Sequence, residues 1–341
     1  MKDRLLNLLA CPTCRVNLRL YITRESQGEV ESGQLECSRC NRVYPIIAFI
    51  PRFVPAKNYA DNFGYQWQRF QQTQLDSYSG IPISRERFFR QSSWSPQELA
   101  GKLVLDVGCG AGRFAEVALS CGAEVVALDY SSAVDSCRHN LRCYPALHSI
   151  QADVFSLPLQ EGRFDYIYCF GVLQHTPDPE RAFHSLPGLL KPEGKLAVDI
   201  YLKYWGNWLY TKYWLRPFTV RLPWRTLFRV VESAAPLLLR VSRMIARLPV
   251  VGRWLRRLIP VANYEGIYPL NNQQLEEIAI LDTFDMLAPR YDLPQTPQAL
   301  QSWLARAGLE DVEVLKVNHL VGRGRRPKGL TALGMAHKSF S

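Results

Sequence analysis

Lys102-Leu103-Val104-Leu105-Asp106-Val107-Gly108-Cys109-Gly110-Ala111-Gly112 runs directly into the alanine-rich stretch Arg113 to Ser120. A short apolar run, a glycine cluster and a helical pattern in this order predict strand, tight turn and helix. The glycines let a ligand approach the backbone at the helix N-terminus. Two residues narrow the ligand. Asp106 precedes the first glycine by two positions, where a carboxylate can meet a cationic group. Position 113 is Arg, so the third glycine of a dinucleotide-binding GxGxxG fingerprint is missing.

Downstream, Glu124 to Leu128 reads as a second strand ending in Asp129, an acid placed to accept a pair of ribose hydroxyls. A further unit follows in Ile150 to Pro158, with Asp153, and in the strand Phe164 to Phe170. Strands alternating with helices predict a parallel, doubly wound sheet that binds its ligand at the strands' C-terminal ends.

The N-terminal 55 residues have another character. Cys11-x-x-Cys14 and Cys37-x-x-Cys40 form two knuckles, with strand-like pieces at Leu18 to Thr23 and Gly33 to Glu36 between them. Four thiolates at this spacing suit the closed tetrahedral shell of structural zinc. So short a segment buries little core of its own, so the metal is expected to supply much of its local stability.

The chain has 341 residues, 47% hydrophobic and 21% charged, an ordinary globular composition. No apolar run reaches the ~18 residues of a membrane span. The N-terminus reads as no secretory signal, so a cytoplasmic setting with reduced cysteines is expected. Formal charge is +10. Tyr201 to Pro260 holds twelve Lys or Arg, one acid (Glu232) and five of the eight tryptophans. That stretch is therefore +11 and the remainder −1. Pro217, Pro223, Pro236 and Pro249 are expected to break it into short helices. Three readings stand for it: a packed lid with solvated arginines, a peripheral contact with the inner face of a membrane, or a grip on RNA.

With these motifs on the page, two resemblances follow. VLDVGCGAGRFA, VVALDYS, QADVFSLPL, FDYIYCFGVLQHTPDP and LAVDIY resemble the ordered motifs of class I S-adenosylmethionine-dependent methyltransferases, the methyltransferase type 11 group. The resemblance implies a Rossmann-like α/β sheet with helices on both faces. It also implies S-adenosyl-L-methionine contacts at Asp106, Gly108, Cys109, Gly110, Gly112, Asp129, Tyr130, Asp153, Val154 and Phe170. Singly, each glycine or aspartate serves as well for a turn or a cap. LLACPTCRVNL and LECSRCNRVYPIIAFIPRFVP resemble the small zinc-ribbon proteins that bind and activate methyltransferases. The glycine that family carries after Tyr-Pro-Ile is absent here, so the turn near Ala48 is expected to differ.

The expected organisation is a zinc ribbon (1–55), a connector with N-terminal helices (56–99) and a cofactor-binding core (100–200). A basic, aromatic helical insertion (201–265) and a completion of the fold (266–341) follow. In the completion, Val312 to Val317 and Leu330 to His337 read as a closing hairpin. His175, just beyond the strand ending at Phe170, is the candidate base, although a loop histidine can equally cap a turn. Tyr65, Gln66 and Trp67 are candidates to cover the cofactor or to pack in the core. Glu180, Asp282 and Asp285 read as helix-face charges outside the site. Phe170-Gly171-Val172-Leu173 lacks the Asn/Asp-Pro-Pro-aromatic motif of exocyclic-amine nucleic-acid enzymes. The functional expectation is methyl transfer to a small-molecule, glycan or lipid-like acceptor, chiefly at oxygen. An rRNA or tRNA methyltransferase is the enzyme alternative, and a catalytically silent binding scaffold the other.

Overall fold

The computed structural model describes residues 1–55, 58–206, 210–248 and 252–329. After a short helix, α1 (Asp3–Leu6), the chain forms an antiparallel sheet of β1 (Leu18–Ser26), β2 (Glu29–Cys37), β3 (Val43–Ile47) and β4 (Ile50–Pro51). Both ribbon strands are longer than their sequence signal, because β1 and β2 pair along their whole length. Where the related family carries glycine, Ala48 and Phe49 take the left-handed conformation themselves, at φ 50° and 69°. Each pays roughly 1 to 2 kcal/mol for it. The Phe49 ring is held beneath Arg138, 4.5 Å from guanidinium to centroid, and its N–H donates to the Glu31 carbonyl.

The connector folds into α2 (Asp61–Arg69), α3 (Asp76–Ser79), α4 (Ile83–Ser92) and α5 (Pro96–Leu99), the last opened by a Ser95/Glu98 capping box. The core then alternates β5 (Leu103–Val107), α6 (Arg113–Ser120), β6 (Glu124–Asp129), α7 (Ala133–Asn140), β7 (Leu147–Gln151), β8 (Phe164–Cys169), α8 (Pro179–His184) and β9 (Leu190–Ile200). Beyond the insertion come α12 (Asn272–Leu287), α13 (Pro297–Arg306), β10 (Glu310–Val317) and β11 (His319–Arg325). The seven-stranded sheet runs β10-β11-β9-β8-β5-β6-β7. Its five core strands are parallel, and β11 joins β9 antiparallel. Strand order reverses between β5 and β8, which opens a crevice at their C-terminal ends. The hairpin partner of β10 follows it at once, as β11; Leu330 to His337 lies outside the described residues.

The ribbon does not stand alone. Leu5, Leu8 and Leu9 share one core with Ile150, Leu157 and Leu159. The Phe53 N–H donates to the Gln151 carbonyl (2.8 Å), and the Arg52 guanidinium grips Asp135 (2.6 Å). Docking against β7 therefore adds to whatever stability a metal supplies.

The insertion corrects one expectation. Its helices are α9 (Thr211–Thr219), α10 (Trp224–Ala246) and α11 (Gly252–Leu255). Pro217 and Pro236 lie inside α9 and α10 instead of ending them, and only Pro223 stands at a helix start. Pro236 forfeits one backbone bond, a loss of about 3 kcal/mol in a helix interior. Burial of Leu227, Phe228, Val231 and Ala235 in one cluster with Phe284 of α12 offsets it, at roughly 1.5 to 3 kcal/mol for each large side chain. Pro249 is outside the described residues.

Candidate active site

The crevice holds a cavity of about 710 Å³, floored by the β5–α6 loop and roofed by the connector and insertion. Gly108 and Gly110 adopt φ of 79° and 52°. A Cβ on Gly108 would lie 2.2 Å from Val172 Cγ2, so only glycine fits there. The Gly110 N–H donates to Asp129 Oδ2 (2.9 Å), while Ser131 donates its N–H and hydroxyl to Oδ1 (2.8 and 2.7 Å). Burial raises the Asp129 carboxyl above its usual range. A carboxylate has about four acceptor positions, so with three bonds made, acceptor capacity for one ligand hydroxyl remains on Oδ2.

Gly108, Cys109, Gly110, Asp129, Tyr130, Asp153, Val154, Phe170 and His175 all line this cavity. Asp153 caps a short turn through Phe155 N–H (2.9 Å), and Tyr130 lies beside Tyr59, ring centroids 4.9 Å apart. Two of the expected contacts do not reach it. Gly112 packs behind the loop against Leu141 and Cys137. Asp106 is 2% exposed and also lies behind. Its Oδ2 and the nearby Tyr168 hydroxyl are both without a hydrogen-bond partner, and burial pushes its carboxyl up to about 8. A buried carboxyl with one unpartnered oxygen under a glycine loop would be driven to ionise by a cationic ligand group above it.

His175 sits at the cavity wall, between the rings of Phe63 (5.5 Å) and Tyr201 (5.6 Å). Its Nδ1 lies 3.0 Å from the Tyr291 carbonyl. A carbonyl only accepts, so the proton is assigned to Nδ1, and Nε2 keeps a lone pair.

The roof was harder to read. Trp67 of α2 covers Gly110, its indole 3.3 Å from where a Cβ would stand, whereas Tyr65 packs against Trp224 and Phe228. Gln66 is buried, with Nε2 3.5 Å from Asp285. Glu180 is a helix-face charge, paired with Arg306. Asp282 and Asp285, however, line the cavity. Asp282 accepts from Tyr264 and from Gln74 (3.3 Å), and burial raises its carboxyl to about 6. The legible signal was an acid amid an apolar face: Ile278, Leu281, Asp282 and Asp285 share one side of α12. Arg87, paired with Asp199 at 2.9 Å, and Arg113, bonded to Ser84 and Gln74, add charge to the same wall.

In the ribbon, the sulfur atoms of Cys11, Cys14, Cys37 and Cys40 lie within 4.8 Å of one another. Cys11 and Cys40 are 3.8 Å apart, the edge of a tetrahedron with Zn–S bonds of about 2.3 Å. The backbone N–H groups of Cys14 and Arg39 point at Cys11 and Cys37 sulfurs, both at 3.4 Å. The donor set fits zinc.

Two family models match the chain, one over each of these regions. Residues 105–198 match the methyltransferase domain model, and residues 2–47 the model of Trm112p-like proteins. Over 115 residues the chain is 36% identical to the ubiquinone biosynthesis O-methyltransferase of Coxiella burnetii, covering 33% of this chain and 49% of that one. The Azotobacter vinelandii protein of the same name is 39% identical over 101 residues, 29% of this chain and 44% of its own. The chain thus spans about half the length of these relatives or less. A crystal structure of human N-acetylserotonin methyltransferase with its cofactor aligns at TM-score 0.44 and 16% identity, over 80% of this chain and 60% of that one. The chain therefore joins a domain of the Trm112p-like family to a class I methyltransferase domain of the type 11 group.

Proposed function

We propose that the protein transfers a methyl group from S-adenosylmethionine to a hydroxyl of a small, lipid-like acceptor. The observation that carries this reading is one continuous cavity. It runs from the glycine loop and Asp129, past His175, to a chamber walled by Tyr201, Tyr213, Ile259, Val261 and Tyr264. The first end suits an aminoacyl nucleoside, and the aromatic second end, where Asp282 pairs with Tyr264, an aromatic acceptor that bears a hydroxyl.

When bound, S-adenosylmethionine would supply an electrophilic methyl on a sulfonium. Asp129 and Asp153 would hold its ribose and adenine, and Trp67 would cover the loop. His175 Nε2 would take the proton of the acceptor's hydroxyl, leaving the oxygen free to accept the methyl group. The Tyr291 carbonyl fixes the imidazole for this role. Aromatic walls exclude water and align the reactants. The four-cysteine site would hold a structural zinc ion that keeps the ribbon docked on β7.

Calorimetry with S-adenosylhomocysteine tests the cofactor claim. His175→Gln should leave that affinity intact while lowering turnover of catechols or alkylphenols about 10²- to 10⁴-fold. Binding of NADH with no binding of S-adenosylhomocysteine overturns the reading. Unchanged turnover in His175→Gln removes the base from it.

A further inference from the structure

The continuity of α10 creates a surface that a set of short helices would lack. Its inner face buries Leu227, Phe228, Val231, Ala235 and Leu239. On the opposite side Val230, Leu237, Val241 and Met244 recur at intervals of three, four and seven residues, so they form one ridge, with exposed Leu248 just past the helix end. Each is between 37% and 68% exposed. Within the helix the ridge is roughly 21 Å long at about 1.5 Å per residue. Beside it run Arg225, Arg229, Arg240 and Arg247, all exposed and without ion-pair partners among the described residues. Glu232, the segment's one acid, is already paired with Arg69 (3.4 Å). Exposed Trp214 and Phe218 of α9 add further apolar surface to the insertion.

We infer that this face of α10 docks on an anionic bilayer. An apolar ridge flanked by unpaired arginines matches the acyl boundary and the phosphate layer, respectively. No helix among the described residues is long and apolar enough to cross a membrane, so α10 lies along the surface. The α10 ridge itself is aliphatic, and the exposed rings of Trp214 and Phe218 belong to α9, so this face suits acyl chains better than stacked bases. The insertion also walls the acceptor chamber through Tyr210, Lys212 and Tyr213, so the segment that docks is continuous in sequence with that wall. Delivery of a lipid-borne acceptor rests on the methyl-transfer reading; the docking itself does not.

The test uses the full chain and sedimentation with vesicles of phosphatidylglycerol and phosphatidylcholine, beside pure phosphatidylcholine. Wild type should sediment with the anionic vesicles and much less with the neutral ones. Leu237→Glu/Met244→Glu should weaken partitioning about tenfold or more, and Arg229→Gln/Arg240→Gln should reduce its dependence on anionic lipid. Both variants should keep wild-type affinity for S-adenosylhomocysteine, which also reports that they fold. No binding of wild type to anionic vesicles, or equal binding by the Glu variant, overturns the proposal. So does a soluble dimer, or a complex with structured RNA, that the Glu variant abolishes while vesicle binding persists. Vesicle binding without S-adenosylhomocysteine binding would instead sink the methyl-transfer reading and leave the docking intact.

Discussion

The glycine loop at 108–112 and helix α10 both contain residues that ordinarily interrupt regular structure, and the molecule treats them in opposite ways. At Gly108 the interruption is obeyed: the strand ends, φ turns positive, and a side chain of any size would strike Val172. At Pro236 the interruption is overruled, and the helix continues for ten more residues to Ala246. The difference is one of competing magnitudes. Backbone geometry forced by hard contact leaves no alternative, whereas a missing hydrogen bond is one finite cost that neighbouring burial can exceed.

The largest effect that would break this contrast is expected at the loop. Gly108→Val should abolish S-adenosylhomocysteine binding, a loss of at least about 100-fold, because the added atoms cannot be placed without moving the loop or Val172. Calorimetry showing near-native affinity would mean the loop is as adaptable as the insertion.

The ribbon offers the next largest effect. Cys14→Ser removes one thiolate from a closed shell and should reduce zinc from about one ion per chain, read by elemental analysis. Because Leu5, Leu8 and Leu9 remain in the shared core, the ribbon should loosen rather than detach. Hydrogen exchange confined to residues near the knuckles would agree; exchange throughout β1–β3 would not.

Asp106 sharpens the comparison through pH. Its folded carboxyl titrates near 8, raised by burial, while the unfolded one titrates near the ordinary 3.9. Between those values the folded state holds the proton and the unfolded state has lost it, so this group costs stability progressively as pH rises from about 4 to 8. Asp106→Asn should therefore flatten the decline in thermal stability over that window. An unchanged slope would show that the buried carboxyl is compensated in the folded protein.

The smallest effect belongs to the insertion. Pro236→Ala restores the bond to the Glu232 carbonyl and should stabilise the protein by about 1 to 3 kcal/mol in denaturant unfolding. Destabilisation would mean that the proline sets a bend on which packing against α12 depends.

Asp129 and Asp153 could be placed from sequence because a parallel α/β sheet delivers the ends of its strands to one edge, whatever lies elsewhere. His175 could be placed for the same reason, one turn beyond β8. Asp282 and Asp285 could not. They lie on α12, and nothing local says which way that helix faces until it packs against α10 and the connector. Asp106 shows the converse: the strand and glycine loop around it were legible, yet its side chain is buried and is not among the residues that line the cavity.

By itself, then, the sequence determined the two motif-bearing units, since cysteine spacing and a strand–glycine–helix junction depend on contacts between near neighbours. Tertiary structure alone decided that the ribbon docks on β7, that α10 survives its proline, and that an acidic, aromatic wall from residues 201–286 closes over the cofactor loop. Those outcomes are sums of many weak burial terms between segments far apart in the chain. Local propensity carries no record of such sums.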